Sequence, residues 1–168
     1  YLPENWETGK KYPVLFEYNG QGSYVDDTGA SGYGLSGGKD YIWVVLPFVC
    51  EDNATETNDW WGKKENTVEY AKKAVACICE EWGGDKNRVV LTGHSRGAIS
   101  CNYIGLYDDE IAKLWAAMIP ISHYDGRTDW LWGGMSEEDA TAEVLSTTNI
   151  ERQQFHDKGG VYAGKKHI

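Results

Sequence analysis

Residues 88–98 read Arg88-Val89-Val90-Leu91-Thr92-Gly93-His94-Ser95-Arg96-Gly97-Ala98. An apolar run, Val89 to Leu91, stops at Gly93, and a helical pattern begins directly after Ser95. This is Gly-x-Ser-x-Gly set between a strand and a helix, the pattern of a nucleophile elbow. The spacing has a steric reason. The serine must sit on a sharp turn with its hydroxyl clear of both elements. Gly93 and Gly97 leave room where a Cβ would strike the neighbouring strand or helix. The Arg96 amide then lies at a helix N-terminus, where it can stabilise a developing oxyanion. The alternative is a turn whose serine only caps the helix.

The segment Gly83-Gly84-Asp85-Lys86-Asn87-Arg88 leads into that motif. Upstream stand Leu2-Pro3-Glu4-Asn5-Trp6, Lys11-Tyr12-Pro13-Val14-Leu15-Phe16 and Asn19-Gly20-Gln21-Gly22. On these residues the chain resembles the α/β-hydrolase superfamily. Within it, the chain is similar to the polyhydroxybutyrate-depolymerase and feruloyl-esterase-like serine carboxylesterases. The resemblance runs over residues 2–125 and does not extend to the C-terminal part. It implies a cofactor-free hydrolase that cleaves small or polymeric carboxylic esters through an acyl-enzyme on Ser95. It also implies that the loop after the first strand supplies a second oxyanion amide, and Gln21 is the expected donor. Asn19 stands where the family often has His, a departure that a backbone donor tolerates.

The periodicity gives an α/β fold. Pro13–Tyr18 and Tyr41–Val49 read as strands. Asn66 opens a helix with Glu69 in a capping-box-like pair, and Val68, Ala71, Val75, Ile78 and Trp82 form its apolar face. Gly83-Gly84 ends it. A helix from Arg96 to about Tyr107 and a strand Trp115–Ile121 follow, then a helix Ser136–Leu145. Strand-helix alternation predicts a mostly parallel sheet with flanking helices and right-handed crossovers. Ligands bind at the carboxyl ends of such strands, where Gln21 and Ser95 fall. The expectation is one domain over 1–168 with an uncertain tail at 147–168. At 168 residues the chain is short for an α/β-hydrolase, so truncation at both ends stays open. Tyr1 replaces an initiator Met, and an N-terminal portion is expected to precede it; secreted and cytoplasmic locations both stay open.

A serine hydrolase also needs a base and a group that orients it, in the superfamily order Ser, acid, His. Asp125 follows the last clear strand and is the candidate acid. His167 is the preferred base and His156 the second choice. A partial domain without a working acid and base is the other account. Gly20, Trp60, Trp61 and His123 complete the candidate substrate contacts. A metal pair of His123 and Asp125 lacks a visible third ligand, so no metal is expected. His94 is expected to pack or hydrogen-bond locally, and the Arg96 side chain to meet a substrate carboxylate or solvent.

With 26 acidic against 16 basic residues the net charge is −10. That argues against nucleic acid and anionic membranes as partners and favours a soluble monomer. Cys50, Cys77, Cys79 and Cys101 show no zinc or Cys-x-x-Cys spacing and are expected to be buried free thiols. The eight tryptophans leave one rival to catalysis: a non-catalytic or partial module that binds carbohydrate or an ester ligand through Trp-rich loops.

Overall fold

The computed structural model of the chain describes residues 1–27, 31–58 and 61–121. Asp125, His123, His156, His167, Trp60 and the predicted helix Ser136–Leu145 lie outside the described residues. Four strands form a parallel sheet: β1 (Tyr12–Tyr18), β2 (Ile42–Leu46), β5 (Gly84–His94) and β6 (Ala117–Ile121), in the order β2-β1-β5-β6. Between them lie α1 (Ser31–Ser36), the short antiparallel pair β3 (Phe48–Val49) and β4 (Glu56–Thr57), and α2 (Lys64–Glu81). After β5 come α3 (Arg96–Tyr103) and α4 (Asp109–Ala112).

The near-continuous apolar strands have the composition that burial on both faces requires. Val14, Phe16 and Tyr18 are fully buried on one side, in a core shared with Val68, Ala71 and Val75 of α2 and Ile99 of α3. Trp115 closes that core; its ring meets Phe16 edge-on at 6.0 Å and its Nε1 donates to the Gly105 carbonyl at 2.9 Å. No helix among the described residues is long and apolar enough to cross a membrane.

Several elements depart from the sequence reading. The second apolar run is broken at Pro47, which has no amide to donate to a ladder. β2 therefore stops at Leu46, and β3 turns away to pair with β4. β5 is far longer than Val89–Leu91. Its register to β1 jumps between Tyr12 and Val14, so polar residues 85–88 loop out where Arg88 pairs with Asp85 at 2.7 Å. α2 begins at Lys64, before Asn66, and has no side-chain cap. Asn66 instead donates to the Cys50 carbonyl at 2.8 Å, and Glu69 pairs with Lys72, so no capping box forms. α3 ends at Tyr103 rather than near Tyr107. Only Cys101 of the four thiols is buried; Cys77 is exposed on α2 and the other two are half-buried.

The opposite face of β1 carries a buried carboxylate. Glu17 Oε2 accepts from the Gly32 amide of α1 at 2.7 Å and from Trp43 Nε1 of β2 at 2.9 Å. Burial pushes its pKa above the ordinary glutamate value, against the opposing pull of those hydrogen bonds. A carboxyl raised in the fold holds a proton there that the unfolded chain has already released. Stability therefore falls as pH rises from the ordinary value through the raised one, and is flat above it. Glu17→Gln keeps one acceptor oxygen for both donors, so this slope should flatten in urea unfolding between about pH 4 and pH 8. Glu17→Leu removes the acceptor and should cost about 1–3 kcal/mol for each orphaned donor. An unchanged slope in Glu17→Gln would assign the titration to another group.

Candidate active site

Ser95 joins β5 to α3 with φ 56° and ψ −120°, a backbone conformation that side-chain-bearing residues seldom adopt. Holding it costs about 1–3 kcal/mol, which the surroundings must offset. They do so with the backbone on both sides. The Ser95 amide donates to the Ile121 carbonyl of β6 at 3.1 Å, and its carbonyl accepts from Ala98 at 2.9 Å and Ile99 at 3.2 Å. The hydroxyl makes no helix-capping bond, so the simple cap reading fails.

The two glycines act as the spacing requires. A Cβ on Gly97 would collide with the Tyr18 carbonyl of β1, and one on Gly93 with the Gly97 carbonyl. The start of α3 is thus pressed onto the carboxyl end of β1. Tyr18 is level with Gly93, so the chain leaving β1 emerges beside the corner. A Cβ built on Gly20 would stand 3.8 Å from Ser95 Cβ. Gly20, Gln21, Ser95 and Arg96 are therefore brought to one end of the sheet. β6 ends there too, with Ile121 level with His94.

The loop after β1 is tightly held. Asn19 Nδ2 donates to the Tyr24 carbonyl at 2.7 Å, Gly22 N to the Asn58 carbonyl at 2.9 Å, and Ser23 N to the Gly20 carbonyl at 3.3 Å. The Arg96 side chain corrects the sequence expectation. It meets neither solvent nor an open ligand site; it is 1% exposed. One terminal nitrogen donates to the carbonyls of Gly20 at 2.9 Å and Ser23 at 3.2 Å, and the guanidinium lies 4.1 Å from the Phe48 ring centre. Sequence patterns do not flag this, because an arginine beside a helix start normally reaches water. His94 is exposed. Trp61 is buried and packs edge-on against Tyr103 at 4.9 Å and Phe48 at 6.1 Å, so it anchors its loop.

Two grooves among the described residues lie elsewhere. One of about 470 Å³ is lined by Tyr1, Trp43 and Trp82, and one of about 620 Å³ by Lys11, Lys72 and Asp85. Neither is lined by Ser95 or Gly20.

No protein-family model matches the chain, and no curated protein matches it. Solved structures do. A serine-to-cysteine variant of pOPH in complex with DMSO aligns over 86% of this chain and 51% of its own, at 19% identity and a TM-score of 0.52. The fold is α/β-hydrolase-like. A thermostable esterase aligns over 71% of this chain and 35% of its own, at 18% identity and a TM-score of 0.49. A CE1 ferulic acid esterase from Anaeromyces mucronatus, in complex with ferulic acid, aligns over 65% and 46%, at 21% identity and a TM-score of 0.46. The chain spans about half, or less, of the length of these α/β-hydrolase-like structures.

Proposed function

We propose that the chain carries the nucleophile half of a serine carboxylic-ester hydrolase. One observation carries the reading: Ser95 is held at φ 56° between β5 and α3, and its hydroxyl caps nothing. A costly backbone conformation on a serine is hard to explain by packing alone, whereas a nucleophile needs it to stand clear of both elements. In this mechanism Ser95 Oγ attacks the ester carbonyl and the amides of Arg96 and Gln21 hold the oxyanion. His167 accepts the serine proton and returns it to the departing alkoxide, with Asp125 orienting the imidazole. Water, deprotonated by the same His, then releases the acid and restores Ser95. Gly20 and His123 border the acyl group, and small or polymeric carboxylic esters are the substrates. The carbohydrate-binding alternative is weakened because Trp61 is packed between Phe48 and Tyr103 and offers no ring face to a sugar.

A fluorophosphonate tests the reading directly, since it reacts with activated serines and stays attached. One equivalent should bind, with the added mass on the peptide that contains Ser95. A folded protein that takes up no label, or takes it up elsewhere, would sink the proposal.

A further inference from the structure

The esterase reading uses the amide of Arg96 and leaves its side chain without a task. A guanidinium does not lose its proton at accessible pH, so burying it costs desolvation that its contacts must offset. Two hydrogen bonds and a ring contact of the guanidinium fall on one loop and its support. Gly20 and Ser23, whose carbonyls it grips, bracket Gln21 and Gly22. Phe48, whose ring faces the guanidinium, is itself stacked on Tyr18 at 4.9 Å and 18°. Asn19 holds the next carbonyl, that of Tyr24. Arg96 thus reaches from the first turn of α3 across to the loop that follows β1.

We propose that the Arg96 guanidinium is a positioning residue that fixes the 20–23 loop against the start of α3, so that one residue sets the distance between the two oxyanion donors. The proposal rests on the esterase reading. Its backbone amide is one donor, and its side chain anchors the segment that carries the other, Gln21. An oxyanion hole works only when its donors are already in place before charge develops. Both carbonyls accept from one terminal nitrogen, whose N–H bonds are fixed in the guanidinium plane, a directionality that a lysine ammonium lacks. Loosening the loop should cost transition-state binding and leave ground-state binding of the ester nearly untouched.

The test uses the intact protein, an activated short-chain ester, and the variants Arg96→Met and Arg96→Lys. Met keeps apolar contact with Phe48 and loses every donor; Lys keeps a charge and one point of contact. Arg96→Met should lower kcat by about 10- to 100-fold, below the full loss of an oxyanion donor, with KM changed less than about two-fold. Arg96→Lys should recover part of that loss. An alkyl boronic acid, which mimics the tetrahedral state, should weaken by the same factor as kcat/KM falls. Amide hydrogen exchange gives a readout that does not need turnover. Residues 19–24 should exchange faster in Arg96→Met while β1 and β5 keep their protection. Unchanged exchange in that loop, or a normal kcat in a folded Arg96→Met, overturns the positioning role alone. An unmodified protein that neither hydrolyses the ester nor takes a fluorophosphonate on Ser95 overturns the esterase reading and this inference with it.

Discussion

Replacing Ser95 with alanine should lower hydrolysis of an activated short-chain ester by several powers of ten and leave the fold intact. The hydroxyl makes no capping bond, so its loss removes no structural contact of the helix, and the change in stability should stay within about 0.5 kcal/mol. Ser95→Gly should be equally inactive and yet more stable, by up to about 1 kcal/mol, because glycine accepts a positive φ without strain. A stabilised, inactive variant is the signature of a strained residue kept for chemistry. His167→Ala should match Ser95→Ala in activity, and the double variant should be no worse than either, since nucleophile and base act as a unit. The rate should rise with pH through an imidazole-like pKa, about 6.5 before perturbation. If His167→Ala retains the unmodified protein's rate, the base passes to His156. If Ser95→Ala retains it, the serine mechanism is lost.

The parts legible in sequence were those set by local rules. Gly93-x-Ser95-x-Gly97 announces its corner because only glycine fits where Gly97 meets the Tyr18 carbonyl. The parallel direction of β1, β5 and β6 followed from strand-helix alternation, whereas their order in the sheet did not. What sequence did not disclose depended on partners distant in the chain. The length of β5 was hidden because residues 85–88 are polar and bulge out, and only pairing of Gly84 with Tyr12 reveals that the strand starts earlier. The cap at Asn66 failed because α2 begins two residues earlier, at Lys64, which puts Asn66 inside the helix. The Arg96 clamp joins residues more than seventy positions apart, and nothing in its immediate neighbours predicts burial. Trp61 reads from its polar neighbours as a substrate contact, and only the ring of Tyr103, brought up from α3, makes it an anchor of its loop.

Gly97→Ala should be the most damaging single-methyl change in the described fold. The added Cβ meets the Tyr18 carbonyl, which is backbone and cannot rotate away like a side chain. Tyr18 is locked from both sides, level with Leu46 of β2 and Gly93 of β5. The corner must therefore move off the sheet. Doing so strains the Ser95 amide bond to Ile121 and the Arg96 reach to Gly20 and Ser23. Overpacking of this kind costs about 3 kcal/mol, read as a drop in the urea midpoint with the slope unchanged. Gly34→Ala is the matched control. Gly34 lies in α1 with no atom within 4 Å of an added Cβ, and alanine there should be neutral or stabilising by about 0.5–1 kcal/mol. Activity separates packing from chemistry. At a temperature where Gly97→Ala is fully folded, its kcat should still fall, because the displaced corner carries Ser95 and the Arg96 amide away from the loop after β1. A variant as stable as the unmodified protein would mean that the close approach of α3 to β1 is not what holds the corner in place.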